Sequence, residues 1–225
     1  MERYTFLGVL VFSLLAVVIG IFLVPGRQVE DVRLPWQVES TPSGESRVFG
    51  VEIGRSTLTE VQDVLRETAE LSLFENADGK RMVEAYFNDV DISGLRARVI
   101  LVMVVDEEQL AGMYQRGERL INMGAGKHRV TLAQVDTDAL KQATFSSLSY
   151  IPRANLDAKL VKERFGEPVE RINEGKSGVE HWLYPDKGLD IVMDPEGKEI
   201  LQYVRPAMFE LVRHSLQEQA TAGNP

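Results

Sequence analysis

Apolar residues are spread along this chain in three patterns. The first is an unbroken run, TFLGVLVFSLLAVVIGIFLV at residues 5–24, with no charge and only Thr5 and Ser13 as hydroxyl side chains. Twenty helical residues at about 1.5 Å each reach roughly 30 Å, the hydrocarbon thickness of a bilayer. In hydrocarbon a backbone must satisfy its own hydrogen bonds, so the run predicts a transmembrane helix, ended by Pro25-Gly26. A cleaved signal peptide has a shorter apolar region, about 7–15 residues, before a small-x-small site. This run is longer and ends in Phe22-Leu23-Val24-Pro25, which favours an uncleaved signal anchor.

Residues 25–47 have little periodicity and contain Pro35, Ser40, Pro42, Ser43, Gly44 and Ser46, the composition of a tether. Within it Val32, Leu34, Trp36 and Val38 alternate, as in a short strand or a membrane-proximal segment. Trp36 then sits at a bilayer interface or packs on the domain.

The second and third patterns, helical spacing and short β-branched runs, begin near Val48. Thr57-Leu58-Thr59-Glu60 has capping-box form, and Leu58, Val61, Leu65 and Thr68 follow at helical spacing, predicting a helix to about Leu71. Asn76-Ala77-Asp78-Gly79 marks a turn, residues 83–90 a strand with Tyr86 and Phe87, and Ser93-Gly94 another turn. LRARVILVMVV at 95–105 predicts a second strand. A helix at 107–116, a strand at 128–135 and a short helix at 137–143 lead into the second half. There Asn155 caps a helix carrying Leu156, Leu160, Val161 and Phe165, stopped by Gly166 and Pro168. A turn at 174–178, a strand at 179–184 with Trp182 and Tyr184, and Gly188-Leu189 before a further apolar strand repeat the order of the first half. The pattern predicts a degenerate duplication. Its units are residues 48–150, with connecting elements, and 151–219, closed by a helix from Pro206 with Met208, Leu211, Val212 and Leu216 on one stripe. Residues 220–225 read as a disordered tail.

Composition adds exclusions. Hydrophobic residues at 44% suffice for a core. A net charge of −9 and a pI near 5.0 repel phosphate backbones, so nucleic acid is not an expected partner. The absence of cysteine removes disulfides, thiolate catalysis, cysteine-ligated metal and a lipobox anchor. Charges flanking the apolar run are nearly balanced, with Arg3 before it and Arg27 and Arg33 after it. A short tail at 1–4 favours the cytoplasm for that end. The expected location is therefore a bacterial inner membrane, single-pass through residues 5–24, with a periplasmic C-terminal domain.

The stretch richest in reactive side chains is HWLYPDKGLDIVMDPEGKEI at 181–200, with one histidine, three aspartates and two glutamates. Residues 182–184, 189–193 and 200–204 are apolar runs separated by Pro185-Asp186-Lys187-Gly188 and Pro195-Glu196-Gly197-Lys198. Each separator supplies a proline to preset φ and a glycine able to take positive φ, so the stretch predicts a three-stranded antiparallel meander. Asp186, Asp194 and Glu196 then belong to turns, Asp190 faces outward, and His181 has no second histidine nearby. No metal motif occurs. Gly124-Ala125-Gly126-Lys127 lacks phosphate-loop spacing, having Ile121 and His128 where glycine and a hydroxyl are required. Thr144-Phe145-Ser146-Ser147 lacks a nucleophile elbow, and His128, His181 and His214 are dispersed. No catalytic, cofactor or metal residue is expected.

Phe165-Gly166-Glu167-Pro168, Glu180-His181-Trp182-Leu183-Tyr184, Gly188-Leu189-Asp190-Ile191-Val192-Met193-Asp194 and Gly197-Lys198-Glu199-Ile200 resemble the SmpA/OmlA family of small envelope lipoproteins. That family has a BamE-like fold, helices packed on a three-stranded antiparallel sheet. The match covers roughly residues 153–205, with a weaker copy at 54–105, a tandem similar to the β-lactamase-inhibitor-protein architecture. The lipid-bearing cysteine is missing. The resemblance implies an α+β fold, an N-terminal transmembrane helix followed by two helix-plus-antiparallel-meander units. Its style of action would be contact between envelope proteins. The expected function is a membrane-tethered periplasmic protein–protein interaction module with an unknown envelope partner, contacted through Tyr150, Trp182, Tyr184 and Tyr203, since aromatics dominate interface hot spots. The alternatives are an envelope hydrolase or a ligand-binding sensor domain.

Overall fold

The computed structural model describes residues 33–175 and 177–222. The apolar run at 5–24 lies outside them. Among the described residues no helix is long and apolar enough to cross a membrane. The longest has 14 residues and would reach only about 21 Å. The expected single-pass anchor, with its inner-membrane and periplasmic placement, is corrected to what the described residues show: none of their helices supports it.

The fold is mostly antiparallel β-structure. A small sheet joins β1 (Glu39–Ser40), β2 (Ser46–Val48) and β3 (Val51–Glu52). The main sheet has ten strands: β4 (Glu70–Glu75), β5 (Arg81–Ile92), β6 (Leu95–Met103), β7 (Arg119–Gly124), β8 (Lys127–Thr131), β9 (Phe145–Pro152), β10 (Glu170–Asn173), β11 (Glu180–Tyr184), β12 (Leu189–Met193) and β13 (Ile200–Val204). Their spatial order is β10-β11-β12-β13-β9-β6-β5-β4-β8-β7. Among the described residues five short α-helices accompany them: α1 (Leu58–Leu65), α2 (Glu107–Arg116), α3 (Gln134–Leu140), α4 (Ala158–Phe165) and α5 (Phe209–Ala222).

The expected pair of separate helix-plus-meander units is therefore a single sheet. The meanders exist, β4-β5-β6 in one half and β11-β12-β13 in the other. They are fused through β9, which pairs with β6 from Ala97↔Pro152 to Met103↔Phe145 and with β13 from Leu201↔Tyr150 to Val204↔Ser147. β9 was not among the predicted strands. Its FSSLSYIP alternates serine with larger side chains only from Ser147 to Tyr150, a weak signal beside the β-branched runs around it.

Local signals explain most elements. Thr57 Oγ1 accepts from the Glu60 amide at 3.3 Å, and the Thr57 amide donates to Glu60 Oε2 at 2.9 Å, so the capping box forms. Leu58, Val61 and Leu65 face the core. The helix ends at Leu65 rather than near Leu71, because Arg66 turns left-handed at φ 55° and the chain pairs as β4 from Glu70. In α4 the cap is Asp157, whose Oδ1 accepts from the Leu160 amide at 2.7 Å, not Asn155. In α5 the buried position is Phe209, with Leu216 and Ala220 packed beside it, while Met208 and Leu211 are exposed. The predicted stripe was rotated because it omitted Phe209.

One face of the main sheet carries the core. It joins residues of α1, α2 and α4 to Val99, Leu101, Ile191 and Leu201 in one cluster. The described part of the expected tether belongs to this body. Pro35 O accepts the Tyr203 hydroxyl at 2.7 Å, Ser46 Oγ donates to Lys187 O at 2.9 Å, and buried Glu45 pairs with Arg205. Trp36 stands edge-on to Phe165 at 6.5 Å, under the Arg164 guanidinium, so it packs on the domain. Phe49 lies 5.1 Å from the Tyr150 ring. Replacing Tyr203 with phenylalanine leaves the Pro35 carbonyl without its donor. A loss of about 1–3 kcal/mol is expected in urea unfolding, with little change in far-ultraviolet circular dichroism.

Candidate interaction surface

The four aromatics proposed as partner contacts are all interior. Tyr150 is 1% exposed, Trp182 3%, Tyr184 4% and Tyr203 0%. Strand alternation places each on the core face, where α4, Phe49 and the leading segment cover them. Burial pushes the Tyr150 and Tyr184 hydroxyls up to about 12 and that of Tyr203 well above its ordinary value. They are neutral; the Tyr184 hydroxyl donates to Gly166 O at 3.0 Å and that of Tyr203 to Pro35 O at 2.7 Å. None can anchor a partner without opening the core.

The stretch at 181–200 is the predicted meander, with Trp182↔Ile191 and Ile191↔Leu201 in register. Asp194 accepts from the Glu196 amide within its turn. Asp190, however, does not face solvent. It is 2% exposed, and its Oδ2 lies 2.8 Å from His181 Nδ1. The pairs Leu183↔Asp190 and His181↔Val192 bring both side chains diagonally onto the second face of the sheet. At that end Ile172 and Leu183 pack with Phe209 of α5. Burial raises the Asp190 carboxyl above its usual range, more than the imidazole beside it lowers it. Burial lowers His181, but its carboxylate partner outweighs this and raises it. Asp190 Oδ1 is buried without a hydrogen-bond partner. Among the described residues no hydroxyl bonds to this pair, and no three His, Asp or Glu side chains are placed to hold a metal. The pair can hold a proton; it has no nucleophile beside it.

Register sets Tyr86, Ile100, Ser149 and Gln202 in one cross-strand row, all half-buried. The two edges of the sheet differ more sharply. Edge strand β10 is held by α5, where Gln217 donates to Glu170 at 3.1 Å and Arg213 lies 3.9 Å from the same carboxylate. Among the described residues, edge strand β7 pairs only with β8. All its residues but Ile121 are exposed, Leu120 at 51% and Met123 at 57%, with Met82 of β5 at 41% on the same end of the sheet.

The β7–β8 hairpin is also basic on an acidic chain. Between Gly117 and Thr131 the cations Arg119, Lys127 and Arg129 face one carboxylate, Glu118. His128 Nδ1 sits 3.2 Å from Glu75 Oε1, and Arg129 is 4.0 Å from Glu70. Burial pushes Glu75 up, but hydrogen bonds from Arg81, His128 and Tyr114 outweigh it and hold its carboxyl below the usual range. Arg119 and Lys127 have no ion pair among the described residues. Gly124-Ala125-Gly126-Lys127, which lacks phosphate-loop spacing, forms the turn between β7 and β8. Strand β7 itself was missed. Arg119-Leu120-Ile121-Asn122 lacks clean alternation, and a strand exposed on both faces has no reason to show it.

No family model, curated protein or solved structure matches this chain.

Proposed function

We propose that this protein is a non-catalytic protein–protein interaction module and that its contact region is the β7 edge of the main sheet. The observation that carries the reading is the contrast between the edges among the described residues: β10 is closed by α5, whereas β7 leaves Leu120 and Met123 in solvent beside an unpaired strand side. Exposed apolar groups on an open edge are a liability in isolation and are useful where a partner covers them. The resemblance to SmpA/OmlA proteins supports protein contact as the style of action.

A photo-crosslinking residue at Leu120 or Met123 of the full chain, expressed in its own cells, tests the reading. The expected result is a discrete partner adduct at both positions. Adducts should be absent at Val169 and Leu211, which are exposed at 74% and 63% but lie beyond the hairpin. Adducts at the control positions alone, or at none of the four, would overturn it.

A further inference from the structure

We infer that the β7 edge takes up an extended acidic segment of a partner protein as an eleventh strand of the main sheet. The inference rests on the reading of β7 as the contact region and names what binds there. A strand with one neighbour presents a row of N–H and C=O groups on its other side. Natural edges are blunted by short length, charge, proline, a bulge or a covering element. Edge β10 has four residues, carries Glu170 and Arg171, and is covered by α5. Edge β7 has six residues, no proline, and an uncharged interior, Leu120-Ile121-Asn122-Met123. Its one irregularity falls between Asn122 and Gly124, at the turn, so Arg119 to Asn122 stay in regular register with Thr131 to His128.

Side chains on both faces suit an added strand. Leu120 stands opposite Val130 on the core side. Ile121 lies on the other side, in a cross-strand row with Arg129, Phe74 and Met82. An incoming strand about 4.8 Å away would place apolar side chains beside both.

Charge selects the occupant. Arg119 and Lys127 carry no ion pair among the described residues, and the hairpin is cationic while the chain totals −9. An acidic segment is repelled by most of this molecule and attracted here, which steers it to the edge. A second copy paired edge to edge would set one cationic hairpin against another, so charge disfavours it. The added strand supplies main-chain hydrogen bonds for affinity and alternate side chains for selection, the physics of strand addition.

The test uses the full chain and three synthetic probes: a short peptide alternating valine with glutamate, its lysine counterpart, and the acidic peptide N-methylated at alternate residues. Fluorescence anisotropy reads binding, and amide hydrogen exchange reads β7. The acidic peptide is expected to bind at least about tenfold more tightly than the lysine peptide. N-methylation should abolish binding, and the acidic peptide should slow exchange of β7 amides. An Arg119→Glu/Lys127→Glu variant, changed only at exposed positions, should reverse the preference. Equal binding of the acidic and lysine peptides, undiminished binding of the methylated one, or copies crosslinked through β7 without peptide binding would each overturn the inference. Crosslinks at Leu120 to a partner, with no binding of the acidic peptide, would leave the interaction reading standing and remove this one. Failure of both experiments removes both.

Discussion

His181→Ala is expected to lower folding stability by about 3–5 kcal/mol at pH 7, because it strands the Asp190 carboxyl in an apolar layer. Asp190 already has one oxygen without a partner, and the imidazole is the group bonded to the other. Replacing both, as His181→Leu/Asp190→Leu, removes the two buried polar groups together. It should recover most of the loss, since apolar substitutes for a buried pair are often neutral or stabilising. The pH dependence follows from the direction of the shifts. Both groups bind their proton more tightly in the folded chain than in the unfolded one. The histidine contribution is therefore fully present below its ordinary value near 6.5 and is lost as pH rises through its raised folded value. The aspartate acts with the same sign at lower pH, from its ordinary 3.8 upward to its raised value. Urea midpoints measured from about pH 5 to 9 should fall with rising pH in the natural chain and be flatter in the double leucine variant. A His181→Ala cost below about 1 kcal/mol, or identical pH profiles, would show that the pair does not contribute as argued.

Gly188→Ala is expected to be at least as damaging, with a loss of about 3 kcal/mol or more. Gly188 has φ +59°, where a side chain is strained. A Cβ there would lie 2.2 Å from the Val204 carbonyl oxygen and 3.3 Å from the Pro206 nitrogen. Both are backbone atoms, so relief requires moving β13 or the turn that leads into α5. Ser46 Oγ, 3.2 Å from the same point, belongs to the leading segment. The substitution therefore loosens a three-way junction: the leading segment, the meander and the chain entering α5. Gly94→Ala is the control. Its φ is also positive, at +84°, but a Cβ there meets nothing within 4 Å, so its cost should be only the backbone strain of about 1–2 kcal/mol. Equal losses at the two positions in thermal or urea unfolding would refute the junction argument.

Several elements were legible because their causes are local. The α1 capping box needs only Thr57 and Glu60, and the Ser93-Gly94 and Pro185 to Gly188 turns need only residues that accept their dihedral angles. The β11–β13 meander follows from apolar runs separated by such turns. The errors share a different character. Asp190 was placed outward because its neighbours Leu189 and Ile191 face the core, and alternation does put it on the opposite face. That face is buried there because Phe209 packs with Leu183 and Ile172 beneath α5, a contact between distant segments. Of the aromatics, Trp182, Tyr184 and Tyr203 fall in strands the sequence predicts, whereas Tyr150 lies in β9, which it does not. No periodicity could tell that this strand face was the covered one.

What the residues determined unaided is the set of turns, caps and alternating runs, since those depend on dihedral preference and nearest-neighbour hydrogen bonding. Only the tertiary structure decided that β9 would join two meanders into one sheet, that the leading segment would lie under Tyr203, and that β7 rather than β10 would be left open. Each of these is a pairing between residues far apart in the chain. Its free energy comes from the apolar area and hydrogen bonds gained when the pieces meet, which no local pattern of side chains encodes.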